Sequence, residues 1–231
     1  MPREDDQSRA PIWDQIYEGG HEQRAPWDTV VSFVYRNRPQ DKVVENTRLV
    51  EVGYGTASNL RFFAREGFQV AGVEGAEKAV QVAQAYFSKH GLTGDLRHGD
   101  YRALPFEDSS FDLAFDRAAL VHAGTSVQRE ALAEVHRVLV PGGRFLYTPY
   151  ADTHASCLSG AAGPDDLIVD IAAGTLTGVG PLRFVSREDI EQLFPEDRWT
   201  IRSLEYQTSQ DLLVGEAARL HSSWRVIVEK I

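Results

Sequence analysis

Leu49-Val50-Glu51-Val52-Gly53-Tyr54-Gly55-Thr56-Ala57-Ser58-Asn59-Leu60 is the stretch on which the reading of this chain turns. An apolar run rich in β-branched residues stops at two glycines. A helix-like pattern (Leu60, Phe62, Phe63, Ala64) then takes over, so the stretch spells strand, tight turn, helix. Glycine at 53 and 55 lets the turn bend and lets a ligand approach bare backbone, because no Cβ stands in the way. Glu51 breaks the apolar strand two residues before the first glycine. A second apolar run, Gln69-Val70-Ala71-Gly72-Val73, ends on Glu74, about 20 residues beyond Gly53. At that spacing a carboxylate meets ribose hydroxyls in nucleoside-binding βαβ units.

A turn that holds a pyrophosphate favours a third glycine and a bare helix N-terminus. Here Ala57 stands in that place and the helix opens with Ser58-Asn59, so the turn fits a nucleoside without phosphates at least as well as a dinucleotide. The E-x-G-x-G-T form resembles motif I of the class I S-adenosylmethionine (SAM) methyltransferases. Three further runs carry the resemblance: Leu104-Pro105-Phe106, the F-D-x-x-x-D-R-x-A-L-V pattern over residues 111–121, and R-V-L-x-P-G-G-x-F-L over residues 137–146. Ahead of the first strand, W-D-x-I-Y over residues 13–17 and Pro26-Trp27-Asp28 look like the N-terminal arm of thiopurine-type and related small-molecule methyltransferases.

The resemblance implies an α/β, Rossmann-like class I methyltransferase fold: a seven-stranded, mostly parallel sheet in the order 3-2-1-4-5-7-6, an N-terminal helical arm, and a lid insertion after strand 5. It implies SAM as cofactor and S-adenosylhomocysteine (SAH) as product. Glu51, Gly53 and Gly55 would line the cofactor, Glu74 would hold the ribose, and Asp100, with Tyr101 beside it, would meet the adenine. Asp116, at the carboxyl end of its strand, would face the methionine end or the acceptor. The arm would close over SAM, with Trp27 at the cofactor and Trp13 and Tyr17 on the acceptor side. Arg117 pairs with Asp116 or holds an anionic group bidentately. Tyr150, Asp152, His154 and Arg183 are the polar groups expected near the acceptor, and His122 or His154 would serve as a general base for a hydroxyl acceptor. No metal is expected, because Asp152-x-His154 has no further ligands at suitable spacing.

Outside these motifs, periodicity predicts helices over residues 29–36, 76–90, 126–139 (with Ser126 as N-cap) and 186–194, the last opening with an S-x-x-D capping signal. Residues 199–206 and 222–228 alternate as an antiparallel pair that closes the sheet. Residues 151–181 are long, rich in Gly and Ala, and read as an acceptor-side insertion in which 167–171 forms one helical turn or a small strand. Residues up to Arg9 are polar and charged and read as disordered.

The 231 residues suit one domain, with residues 1–40 as the arm, and leave enough apolar residue for a core. A formal net charge of −10 argues against a duplex nucleic-acid partner, which needs a basic face. The turn after the fourth strand reads D-R-A-A, not the D/N-P-P-Y of exocyclic-amine DNA methyltransferases. Cys157, the single cysteine, lacks the Pro-Cys context of a cytosine-C5 enzyme and permits neither an internal disulfide nor a cysteine zinc site. No apolar run reaches the ~20 residues of a membrane helix and no signal peptide core is visible. The expectation is therefore a cytoplasmic monomer or homodimer acting on a small molecule. Two rivals stand beside it. An NAD-dependent oxidoreductase would want the third glycine and a Tyr-x3-Lys pair, and a SAM-binding fold without catalysis would act as a partner or regulator.

Overall fold

The computed structural model describes residues 10–215 and 219–231, with side chains from Trp13 onward; the disorder expected up to Arg9 lies outside the described residues. The glycine stretch forms β1 (Arg48–Val52), a turn, and α3 (Ser58–Arg65), followed by β2 (Gln69–Glu74), α4 (Glu77–His90) and β3 (Asp95–His98). Two helices precede β1, α1 (Ala10–Glu18) and α2 (Asp28–Asn37). After β3 come β4 (Phe111–Asp116), α5 (Thr125–Val138) and β5 (Leu139–Tyr147). β1 lies between β2 and β4 in parallel register, so β3-β2-β1-β4-β5 is one parallel run.

Strand alternation sorts the core into two faces. Val50 and Val52 of β1 point to the side covered by α5, while Leu49 packs on the other side with Phe63 of α3 and Val30 and Phe33 of α2. Glu51 has the parity of Leu49, so its carboxylate is carried under α3.

The remaining elements are β6 (Tyr150–Ala151), α6 (Ala155–Leu158), β7 (Ala161–Ala162), β8 (Leu167–Val169), β9 (Leu182–Val185), α7 (Arg187–Leu193), β10 (Trp199–Gln210) and β11 (Leu220–Lys230). β11 runs antiparallel beside β5 and carries β10 on its outer side, which is the 5-7-6 order the resemblance implies. Among the described residues the sheet holds eleven strands in place of seven. β6 pairs Ser223 of β11, then β9, and β9 continues antiparallel into β8 and β7. The insertion is thus a small sheet grown from the rim of the main one, and residues 167–169 resolve to a strand.

Two helix starts differ in an informative way. α7 opens with the Ser186/Asp189 capping box its sequence encodes. α5 starts one residue earlier than periodicity suggests and is not capped by Ser126. Asp165, delivered by the insertion, accepts the Ser126 N–H at 3.0 Å and the Ser126 hydroxyl at 2.6 Å. A cap from 39 residues away satisfies the same orphan N–H groups as a local one, and no sequence signature near the helix announces it.

Candidate active site

The carboxyl ends of β1, β2 and β4 meet at the glycine turn. Gly53 and Gly55 have φ of +66° and +54°, and Ala57, where a third glycine is absent, adopts φ +65° as the residue before α3. Glu74 leaves β2 and reaches back into this turn: its Oε2 accepts the Gly55 N–H and its Oε1 the Ala76 N–H, both at 2.8 Å. Burial pushes the Glu74 carboxyl above its usual range, against those two N–H groups.

Two more carboxylates stand behind the turn. Glu51 is buried, and its Oε1 accepts from Asn59 Nδ2 at 2.7 Å. Asp116, at the end of β4, accepts the Ala119 and Leu120 N–H groups at 2.9 Å through one oxygen. Glu51 Oε2 and Asp116 Oδ2 are buried without a hydrogen-bond partner. Burial raises both, Glu51 well above its usual range and Asp116 to about 6. An unsatisfied buried carboxylate oxygen is costly unless a donor or cation arrives to meet it.

The arm lies across this arrangement. α1 is fastened by Asp14 Oδ1, which accepts the Lys78 N–H at the start of α4, 2.9 Å away. Trp13 packs edge-on against His122, 5.1 Å between centroids, and Tyr17 lies 5.7 Å from Trp13. A Cβ built on Gly55 would come 2.7 Å from the Tyr17 hydroxyl, so the phenol sits directly over the turn. Burial, then the charges of Glu74 and Glu51, raise the Tyr17 pKa. Trp27, at the start of α2, donates its backbone N–H to Asn59 Oδ1 at 2.9 Å. Its ring lies 3.9 Å below the Arg117 guanidinium. Asn59 thereby links Glu51 to the arm, a connection the motif reading missed. A polar residue opening the helix after a glycine turn was the available signal.

Asp100 follows β3 in a turn and is clasped by Arg102 through its backbone N–H (2.8 Å) and guanidinium (2.9 and 2.5 Å). Burial works against its charge, but Arg102 outweighs it and holds Asp100 below the usual carboxylate range. Tyr101 is half-buried against the main core cluster. Asp112, at the start of β4, pairs with Lys42 Nζ at 2.6 Å and accepts the Arg48 N–H.

On the far side of β4 lies a cavity of about 60 Å³ whose lining includes Arg117, Thr148, Tyr150 and His221. Thr148 donates to the Asp116 backbone carbonyl at 3.0 Å, which ties the lining of this cavity to the carboxyl end of β4. A larger hollow of about 690 Å³ opens at the amino ends of β2 and β3, the opposite end of the sheet from the glycine turn. Ligands of open α/β sheets sit at the carboxyl ends, so we place the site at the smaller cavity and the turn.

Two expectations for this side are corrected. His154 is fully buried as the cap of α6: its Nδ1 accepts the Ser156 N–H at 2.9 Å and its Nε2 meets His221 Nδ1 at 3.0 Å. Burial, then His221, push it down to about 4, and with both nitrogens engaged it has none to offer an acceptor proton. Arg183 is also buried, ion-paired with Asp189 at 2.9 Å and donating to Thr125 Oγ1 at 2.7 Å, so it ties β9 to α7 and α5 and is not among the lining residues of the small cavity. His221, which the motifs did not single out, takes the place at the cavity that His154 had been given. Among the described residues no group of three or more His, Cys, Asp or Glu gathers as a metal site, and no helix is long and apolar enough to cross a membrane.

Residues 50–147 match the family described as "Methyltransferase domain". The chain is 28% identical over 145 residues to a sarcosine/dimethylglycine N-methyltransferase of Aphanothece halophytica, covering 62% of this chain and 50% of the relative. It is 37% identical over 106 residues to a 24-methylenesterol C-methyltransferase of Oryza sativa subsp. japonica, covering 45% and 28%. The chain thus spans half or less of the length of these curated relatives. Among solved structures, a SAM-dependent methyltransferase from Methanosarcina mazei superposes with a TM-score of 0.69 at 16% identity, over 90% of this chain and 99% of that one. The fold is the Rossmann-like methyltransferase fold.

Proposed function

We propose that this chain, with a methyltransferase domain over residues 50–147 on a Rossmann-like methyltransferase fold, transfers a methyl group from SAM to a nucleophilic atom of a small acceptor. One observation carries the reading. Glu51 Oε2 and Asp116 Oδ2 are buried and unpartnered behind a glycine turn that Glu74 already closes. Three carboxylates at the turn repel a pyrophosphate and suit a ligand with hydroxyls and an ammonium. Bound SAM supplies an activated methyl: the acceptor's lone pair forms the new bond as the C–S bond breaks, leaving the thioether SAH, and the acceptor's proton passes to solvent or a base.

The chain's own residues do the rest. Gly53 and Gly55 offer bare backbone, Glu74 accepts from the ribose hydroxyls, and Asp100, steadied by Arg102, accepts from the adenine amino group. Glu51 and Asp116 hold the ammonium end. Tyr17 is displaced from above Gly55 when the nucleoside enters, and α1 with Trp13 then covers the site and excludes water. This covering role keeps the likeness to thiopurine-type arms within the proposal. His122, edge-on to Trp13, is the histidine left to take a proton from a hydroxyl acceptor. The relatives' names span nitrogen and carbon acceptors, so the methylated atom stays open. The proposal keeps the chain a cytoplasmic monomer or homodimer.

Calorimetric titration with SAM, SAH and NAD tests this. The first two should bind and NAD should not, and labelled methyl should then pass to members of a thiol, amine, phenol and carboxylate panel. NAD binding alone would refute the proposal, and SAM binding without transfer to any acceptor would favour the regulatory rival.

The same titration carries a pH prediction. Burial raises Asp116 to about 6 in the free protein, so between pH 4 and 6 it is largely protonated. A cation beside it lowers that pKa, so binding below about pH 6 must release a proton. SAH affinity should therefore climb with pH through about 6, with buffer-dependent heats over that climb, and Glu51, also raised by burial and set at the same ammonium, adds to it. A pH-independent affinity from 5 to 8 would show that Asp116 does not face the ammonium.

A further inference from the structure

The small cavity beside Asp116 tells what an acceptor must look like, on the reading that the chain is a methyltransferase. No Asp or Glu is among its lining residues, whereas Arg117, Arg225 and His221 all are. Arg117 makes no salt bridge among the described residues. Its guanidinium carbon lies 3.9 Å from the centre of the Trp27 ring and its side chain hydrogen-bonds Tyr150, another lining residue, so ring and phenol hold it at the cavity with further N–H groups to offer a ligand. Arg225 is paired with Glu205, yet its Nε is buried without a partner.

His221 adds a donor by a chain of hydrogen bonds. The Ser156 backbone N–H can only donate, so His154 Nδ1 accepts and the His154 proton sits on Nε2. That N–H donates to His221 Nδ1 at 3.0 Å, where Thr175 Oγ1 also lies at 3.1 Å. Neutral His221 therefore carries its proton on Nε2 and is a donor at that nitrogen. The buried His154 is a positioning residue that sets the His221 tautomer.

We infer that the acceptor carries a carboxylate and seats it in this cavity, between the edge of Arg117 and His221, with its nucleophilic atom turned toward the Asp116 side. The volume of about 60 Å³ holds a few waters or one carboxylate. A guanidinium edge can meet the two oxygens of a carboxylate in a two-point contact. The same polar lining is a poor seat for a large apolar acceptor.

Calorimetry on the SAH-loaded protein tests this with matched pairs: benzoate against benzamide, and N,N-dimethylglycine against its amide, with inorganic phosphate as a third arm. At least one carboxylate should bind about tenfold or more tightly than its amide. Arg117→Met should erase that preference, and Arg117→Lys should keep part of it, since the charge remains and the fork is lost. Equal binding of acid and amide, no binding of any carboxylate, or tighter binding of phosphate would overturn the inference. The acid–amide comparison needs no variant, so it decides the matter even if Arg117→Met fails to fold. Absence of SAH binding would refute the methyltransferase reading itself, and the same pairs run on the free protein would still judge the cavity.

Discussion

Glu74→Ala should weaken SAH binding by about 100-fold, close to 3 kcal/mol, while leaving the protein folded. A carboxylate that accepts from two ribose hydroxyls makes charge-assisted hydrogen bonds worth about 1.5–3 kcal/mol each, gained only when ligand is present. Glu74 also pins Gly55 through its N–H, so alanine frees the turn against which the nucleoside must lie. The fold should tolerate the change. Burial already raises the Glu74 pKa, which means its charge is held at a desolvation cost that alanine relieves. Glu74→Gln separates the two functions: it keeps one acceptor oxygen and a similar shape, and should fall between wild type and alanine. Calorimetry with SAH, next to a thermal melt of each variant, reads both quantities. An alanine variant that binds SAH within threefold of wild type would remove Glu74 from the cofactor site.

Gly53→Ala should cost about 3 kcal/mol of stability. Two penalties combine. At φ +66° an L-residue pays roughly 1–2 kcal/mol for the left-handed backbone. The new methyl would also stand 2.1 Å from the Ala119 Cβ, an overlap that only a shift of the β4 turn relieves, at about 1–3 kcal/mol. For a chain of this length the melting temperature should fall by about 6–12 °C. The pair Gly53→Ala/Ala119→Gly divides the loss, because removing the opposing methyl restores the steric part and leaves the backbone part. Gly55→Ala should be milder, since its Cβ meets only the hydroxyl tip of Tyr17, which can swing away. If Gly53→Ala melts within a degree or two of wild type, the close approach of the β1 and β4 turns is not what demands glycine there.

Much of this site was legible along the chain because its logic is local. Strand, glycine turn and helix occupy adjacent residues, and Glu74 lies one crossover away, so periodicity and spacing suffice to place them at one end of a parallel sheet. The capping box of α7 was legible for the same reason, being tied to the start of its own element. His154 and Arg183 were misplaced because residue type says nothing about which way a side chain faces. The small sheet of the insertion turns both inward, where a histidine becomes a cap and an arginine an ion pair.

The sequence by itself determined the glycine turn and the carboxylates that end its strands, because short-range pattern decides secondary structure, while the order of the sheet came with the resemblance its motifs carry. Only the tertiary structure decided what meets across long separations: Asp165 capping α5, Asn59 joining Glu51 to the arm, Trp27 under Arg117, and His154 fixing the proton of His221. These contacts join residues brought together by packing, and their energies depend on burial and direction, neither of which is written in spacing along the chain.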